Sequence, residues 1–345
     1  MSPSNQGPKG MLFRIVFETS EGAFRILLPH GWIAEGGIYR QNLLAQQTYS
    51  ISQEPKFNYL IKNDNAGSVV IRWCPEINYY DPHGALSSSI GSLPVGSLFQ
   101  GMLVYPQLTP PAYLQQIIFP WAHVRAEQVE VVDQRLLPDL AAGYQKSLSG
   151  LPQSGFSGAT YAAGVLTTTY MEDGVRYLEK LFTVIVSQVG MAKGMWSNQQ
   201  TLYIRAPANE FEAWLPVLYV IQNSMRINPE WLARELSNQA DLTPDDPKSS
   251  PQEIARWDLQ INNHQQWVIT EIQTEAFLSP AVETEYINPF SGQIEVASAH
   301  WRYRWVTQMG DEFYTDEAGE DPRSIRDVNR SEWKRCDKHP GSKKN

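Results

Sequence analysis

Six histidines and two cysteines are the side chains of this 345-residue chain best suited to metal, nucleophilic or acid/base chemistry. Cys336 and His339, in the run CDKH, have the spacing of two zinc ligands, but a structural zinc site takes about four and no HExxH completes one. His300 and Cys74 could join them only through the fold. His30 before Gly31-Trp32, His83 and His123 near Trp121 could each serve as a general base. None has a recognisable nucleophile or orienting carboxylate around it. The adjacent carboxylates Glu172 and Asp173 precede Gly174 between two β-rich runs, where a hairpin tip would expose both and leave no cleft to shift their pKa values. Gly155-Phe156-Ser157-Gly158-Ala159 misses the spacing of a nucleophile elbow, and neither GxGxxG nor a P-loop occurs. The expectation is a protein without catalytic residues, metal or cofactor.

What remains is recognition chemistry. In WRYRW, Trp301, Tyr303 and Trp305 alternate with Arg302 and Arg304, which on a strand gives one aromatic face and one basic face. The run reads first as a half-buried strand whose rings cover a small core, and the alternative is stacking against single-stranded nucleic acid. Trp257 and His264 occupy heptad-like positions among Ile254, Ile261 and Val268 in a helix expected over 252–278, a seam that would pack in cis or against a second copy. These seven residues, Trp257, His264, Trp301, Arg302, Tyr303, Arg304 and Trp305, form the candidate interaction surface.

Composition narrows the partners. With 28 Lys and Arg against 37 Asp and Glu the chain carries a net charge of −9, which disfavours general nucleic-acid binding because that needs a basic face to neutralise phosphates. Two cysteines make no disulfide framework, and Cys74 in VVIRWC reads as a buried thiol. No run approaches the ~18 apolar residues of a membrane span, and MSPSNQGPKGMLFRIVF lacks the pattern of a signal peptide. A cytoplasmic location is expected.

The elements that must position these residues follow from periodicity. MLFRIVFETSEGAFRILLP alternates on both sides of Ser20-Glu21-Gly22 and predicts a hairpin. FNYLIK and SVVIRWCPEINYY predict strands joined through Asn63 to Gly67. Residues 82–111, rich in Gly, Ser and Pro, predict a long loop of the kind that is often functional. Residues 112–123 suit a helix with Tyr113, Leu114, Ile117 and Ile118 on one face and a break at Pro120. EQVEVVDQ suits a strand and LPDLAAGYQKSL a short helix. Residues 160–187 form two β-rich runs around Asp173-Gly174, a tight-hairpin signal. TLYIRAP predicts a strand leading into a helix that starts near Asn209, with Glu212 as a capping-box partner, and Pro216 inside it. A second helix follows Asn228 as N-cap with Pro229 at its first position. Beyond a polar linker at 240–251, TEYINPF, QIEVASAHWRYRWVTQ and DEFYTD predict a small meander with turns at Ser291-Gly292 and Met309-Gly310.

Residues 12–228 resemble the PsbP-like fold family, which includes photosystem-associated PsbP proteins, Ran-binding Mog-type proteins and Eag-type secretion chaperones. The likeness rests on Leu28-Pro29-His30-Gly31-Trp32 after an early strand, on the hairpin at 160–187, and on WSNQQTLYIRAPANEFEAWLPVLYVIQNSMRIN with its final Ser-x-Arg strand at Ser224 to Ile227. The whole chain is also similar to uncharacterised bacterial proteins that share the EYINPFSGQIEVASAHWRYRW ending. The first resemblance implies an α+β domain, an antiparallel sheet in an α/β/α sandwich, and a binding or assembly role. The expected organisation is a tail at 1–10, that domain at 11–239, the linker at 240–251, the long helix at 252–278, a β-meander module at 279–335 and a tail at 336–345. The expected function is a non-enzymatic interaction or assembly module with a protein partner or a second copy, the alternative being an enzyme with its site in a cleft lined by the 82–111 loop.

Overall fold

The alternation around Ser20-Glu21-Gly22 folds as expected into a hairpin of β1 (Gly10–Phe17) and β2 (Phe24–Pro29), with Gly22 at φ 66° in the turn. The structure is a computed structural model that describes residues 10–40, 55–83, 93–147, 158–190, 193–241, 272, 283–325 and 332–340. A carboxylate organises the turn of this hairpin. Glu18, 4% exposed, accepts from the backbone N–H groups of Ser20 and Glu21, both at 2.8 Å, and of Ala23 and Ile38, both at 3.3 Å. Ile38 belongs to β3 (Ile33–Tyr39), so one side chain ties the hairpin to the next strand. Close approach there needs glycine. A Cβ on Gly37 would lie 2.4 Å from Glu18 Oε1, and one on Gly36 would lie 2.2 Å from the Asn58 carbonyl oxygen.

The chain continues through β4 (Lys56–Lys62), β5 (Val70–Cys74) and β6 (Asn78–Tyr80), then β7 (Leu98–Phe99) and β8 (Met102–Val104). The expected 82–111 loop is therefore only partly a loop: residues 84–92 lie outside the described residues, and β8 pairs in parallel with β6. The helix expected over 112–123 is not broken at Pro120. It runs as α1 (Pro110–Tyr113), a π turn over Leu114–Ile118, and α2 (Phe119–Ala122). The proline supplies no N–H and crowds the preceding turn, and widening that turn lets the chain pass without a break.

After β9 (Glu127–Leu136) and α3 (Pro138–Ser147) come the long hairpin β10 (Ala159–Glu172) and β11 (Val175–Gln188) and then β12 (Met195–Pro207). Asp173 and Gly174, at φ 51° and 79°, form the two-residue turn that the Asp-Gly pair predicts. Helix α4 (Phe211–Ser224) starts without the expected capping box: Glu210 is the N-cap, and its carboxylate takes the Trp214 indole N–H instead of a backbone N–H. β13 (Arg226–Ile227) follows, and α5 (Pro229–Asp241) is capped as expected, with Asn228 Oδ1 accepting from Glu230 N at 3.1 Å.

The C-terminal strands are β14 (Glu283–Ile287), β15 (Ile294–Ser298), β16 (Tyr303–Thr307), β17 (Glu312–Thr315), β18 (Trp333–Arg335) and β19 (Asp337–Lys338). They do not form one meander. β16, β17 and β18 complete a six-stranded sheet of order β13-β2-β1-β17-β16-β18, while β15-β14-β19 make a separate three-stranded sheet. β1 carries a free edge beside its hairpin partner, and β17 satisfies it, pairing Met11 with Tyr314 and Phe13 with Glu312. The linker expected at 240–251 and the helix expected over 252–278, with Trp257 and His264, lie outside the described residues.

The third sheet has ten strands, in which β3-β4-β5-β12-β11-β10-β9 are antiparallel neighbours. Its two faces follow the strand alternation. Ile71, Trp73, Phe182, Val184, Leu202 and Ile204 face a core shared with α4, α5 and the β1–β2 hairpin, whereas Cys74, Tyr170, Tyr177, Leu181 and Tyr203 face α1 and the π turn. The α+β composition and the antiparallel sheet are thus as expected, but among the described residues three sheets dominate and the helices are few and short.

Burial pushes the Glu18 carboxyl up, and its four backbone N–H partners outweigh that, leaving its pKa below the ordinary value. A depressed carboxyl pKa contributes stability above about pH 4.5, lost as pH falls through the folded value. Glu18→Gln, with one carbonyl oxygen for four donors, is expected to lower stability at pH 7 by about 2 kcal/mol. Urea unfolding at pH 7 and pH 3.5 should show that difference shrinking in acid.

Candidate functional site

The six-stranded and three-stranded sheets meet at one buried guanidinium. Arg304, at the centre of the expected WRYRW strand, alternates inward on β16 and is 4% exposed. Its Nε and one terminal nitrogen fork onto Glu312 of β17 at 2.9 and 2.8 Å, and the same terminal nitrogen reaches Glu295 of β15 at 2.8 Å. Glu312 also accepts from the Tyr314 hydroxyl at 2.5 Å, Glu295 accepts from Asn288 Nδ2 at 2.7 Å, and the Tyr286 ring lies 5.6 Å from the guanidinium. Burial opposes the charge on Arg304, but Glu312 and the groups behind it hold its pKa above the ordinary value. Burial, and next the Glu312 charge, raise the Tyr314 phenol well above its ordinary value. Cys336 lies on the same side, buried and pushed up to about 12 by desolvation.

Beside this node lies a pocket of about 500 Å³. Arg304, Glu312 and Tyr314 form part of its wall; β2 contributes Arg25 and Leu27, α4 contributes Tyr219, Asn223 and Ser224, and the three-stranded sheet contributes Glu283, Glu295 and Val296. The local sequence explains the wall: β2 and α4 pack by their apolar faces, leaving the polar residues at their margin toward the gap between the sheets. No histidine or cysteine among the described residues lines the pocket. Its hydroxyls are committed to structure. Ser224 Oγ accepts from Leu27 N and donates to Ile221 O, Ser298 Oγ accepts from His300 N, and Thr307 Oγ1 accepts from Asp311 N. The Tyr219 hydroxyl donates to Glu283.

The structure separates the residues of the WRYRW run. Trp301 is buried against Tyr314, with ring centroids 5.1 Å apart. Trp305 packs in a small cluster with Leu12, Phe313 and Trp333, Tyr303 is half-buried with Arg335 stacked 5.5 Å over its ring, and Arg302 is exposed. The expected basic face therefore does not exist as a face, because Arg304 is consumed by two carboxylates. A stacking platform for single strands loses its central cation with it. Trp257 and His264 fall outside the described residues.

A second polar group, not expected from the sequence, is sealed between the ten-stranded sheet and α2. Glu179, fully buried, accepts from the Tyr170 hydroxyl at 2.7 Å and lies 2.6 Å from His123 Nε2. Arg205 approaches His123 Nδ1 at 3.2 Å and Glu172 at 2.6 Å, and donates to the Gly67 carbonyl. A guanidinium only donates, so this network places the His123 proton on Nε2, toward Glu179. Glu172 is thus turned inward and not exposed at the hairpin tip as expected, while Asp173 is exposed and pairs with Arg125. None of these side chains lines the pocket. The signal was legible: Glu179 and Arg205 occupy inward positions of alternating strands, at register partners.

His30 and His83 are exposed, and His339 pairs with Glu285 at 3.0 Å. Among the described residues no group of three His, Cys, Asp or Glu could hold a metal ion, and no helix is long and apolar enough to cross a membrane. Neither a protein-family model nor a curated protein matches the chain. Among solved structures, LpqN, involved in cell envelope biogenesis of Mycobacterium tuberculosis, is similar at 12% identity over 64% of this chain and 92% of LpqN, with a TM-score of 0.22. At that TM-score the likeness defines neither a shared fold nor a shared function.

Removing Arg304 leaves Glu295 and Glu312 facing each other without a cation. Arg304→Met is expected to lower stability by about 3–5 kcal/mol. Arg304→Lys, which keeps the charge and loses the fork, should fall between it and the parent in guanidinium chloride unfolding.

Proposed function

We propose that this chain is a non-enzymatic interaction module that seats a polar segment of a protein partner in the pocket between α4, β2 and the three-stranded sheet. The observation that carries this reading is the committed state of the pocket wall. Its hydroxyls hold backbone or carboxylate groups, its buried arginine is matched by two acids, and no nucleophile stands beside a base. Such a wall is preorganised for recognition, since fixed polar groups lose little on binding. The enzyme alternative placed its site in a cleft lined by the 82–111 loop, and no described residue of that loop lines the pocket. The strand, helix and strand ending behind the PsbP-like resemblance, β12, α4 and β13, places Ser224 and Arg226 on the pocket, and that likeness also favours assembly over catalysis. Self-association through residues 252–278, expected from their periodicity to be helical, is part of the proposal.

A photo-crosslinking residue at Val296, which is exposed and lines the pocket, is expected to give a defined covalent adduct with a protein from extracts of the source cells. The same residue at Val175, exposed at the far hairpin tip, should not. Mass spectrometry reads both. Equal adducts at the two positions, or none at Val296, would count against the reading.

A further inference from the structure

Two arginines in the pocket stand where sheet energetics disfavours them. Arg25 on β2 and Arg226 on β13 are directly opposed in register, are both exposed, and both line the pocket. Like charges directly opposite across a strand pair repel. The Arg25 side chain makes no hydrogen bond or ion pair among the described residues, and the Arg226 guanidinium donates to the carbonyls of Asn223 at 2.6 Å and Met225 at 2.8 Å but to no described carboxylate. Desolvation in the pocket, and next the charge of Arg25, lower the Arg226 pKa, and the more weakly acting charges of Glu312 and Glu295 do not restore it. Paired guanidiniums with acceptor-seeking N–H groups are the donor set that grips a carboxylate or phosphate.

The acidic part of the lining decides which anion. Glu283, Glu295 and Glu312 line the same pocket. Glu295 and Glu312 are matched by Arg304, but Glu283 is exposed and takes only the Tyr219 hydroxyl on one oxygen among the described residues. A multiply charged anion would meet this acidic wall unfavourably, whereas a ligand with a carboxylate at one end and an ammonium at the other is matched twice. A pocket of about 500 Å³ lies within the ordinary range for small-ligand sites.

We infer that the pocket binds a zwitterion of the amino-acid or short-peptide class, its carboxylate held by Arg25 and Arg226 and its ammonium by Glu283. This rests on the reading of the pocket as the binding site, and it specifies the chemistry of the segment that enters.

The test titrates the full chain with trialanine, free alanine, N-acetyl-trialanine and inorganic phosphate, following backbone amides of Ser224, Arg226 and Val296 by NMR. Trialanine or alanine is expected to move these amides, the better binder showing whether a peptide end or a free amino acid is the source. N-acetylation and Glu283→Gln should each weaken trialanine, and together no more than either alone. The double variant R25A/R226A should weaken it at least ~10-fold, as loss of charge-assisted hydrogen bonds does. Arg25→Ala alone should also raise the thermal midpoint of the ligand-free protein by about a degree, because it relieves the repulsion. That rise shows the variant is folded. Arg25→Lys, which keeps the repulsion, should weaken binding without the rise. Phosphate or acetylated peptide binding as tightly as trialanine, unchanged affinity in R25A/R226A, or no shift with either zwitterion would overturn the inference. If these fail while the Val296 adduct persists, the interaction reading stands alone; if trialanine binds and no adduct forms, the zwitterion site stands and the protein-partner reading falls.

Discussion

A guanidinium taken out of water must regain acceptors on every side that loses hydration, and around Arg304 those acceptors come from two different sheets. Glu312 belongs to the six-stranded sheet and Glu295 to the three-stranded one. Were the sheets held only by apolar contact, sliding one past the other would cost little. The two-sided ion pair makes any displacement leave a buried charge unmatched, which is far more expensive than a lost methyl contact. The pocket exists because of this. Arg304 keeps the β14–β15 hairpin at a fixed distance from β2 and α4, and Val296, Glu283 and Arg25 take their places around the gap.

The same principle operates inside the ten-stranded sheet with a different result. Thr168, Glu179 and Arg205 are successive cross-strand partners on β10, β11 and β12, and all three point to the face covered by α1 and α2. A one-residue slip would turn Glu179 and Arg205 toward the opposite, largely apolar core, where neither would find its partner. Tyr170, His123 and Glu172 complete the network, so correct register is the arrangement in which these charges are paired. One oxygen of Glu179 and the Thr168 hydroxyl, opposed in register, stay without partners, an arrangement that an internal water would satisfy. Edge strand β9 shows the complementary device. Its exposed Val129, Val131 and Val132 would template further pairing, but two bulges against β10 and the charges of Glu130, Asp133 and Arg135 interrupt the edge.

Local signals in the sequence were reliable where local chemistry decides the outcome. Asp173-Gly174 adopts the left-handed turn that joins β10 to β11, Asn228 caps α5, and alternation marks β1, β2, β4 and β12. Sheet membership was not legible. β1 and β17 are separated by roughly three hundred residues, and nothing in MLFRIVF names DEFYTD as its neighbour. The C-terminal run therefore reads as a self-contained meander, although β16 and β17 finish a sheet begun at the other end of the chain. Arg304 illustrates the consequence. Alternation shows that it lies on the face opposite Trp305, but only knowledge of the β15 and β17 partners reveals that this face is interior. The capping box at Asn209 and Glu212 failed by one residue: the helix starts at Phe211, so Glu210 and not Asn209 stands at the N-cap.

Arg25 and Arg226 carry the argument from stability to recognition. In a sheet that elsewhere matches each buried charge, an opposed pair of cations at the join of β2 and β13 is a departure from local consistency. A short strand such as β13 does not require arginine for its own formation, and its neighbours Phe24 and Ile227 supply the packing. Departures of this kind persist where the unmatched charge has work outside the folded chain, and stability is given up in exchange. The gap beside Arg304 is where that exchange is possible: it is held open by one fully matched arginine and rimmed by two that, among the described residues, make no ion pair with a carboxylate, with Glu283 in the same lining. The matched charge builds the site, and the unmatched ones define what it can hold.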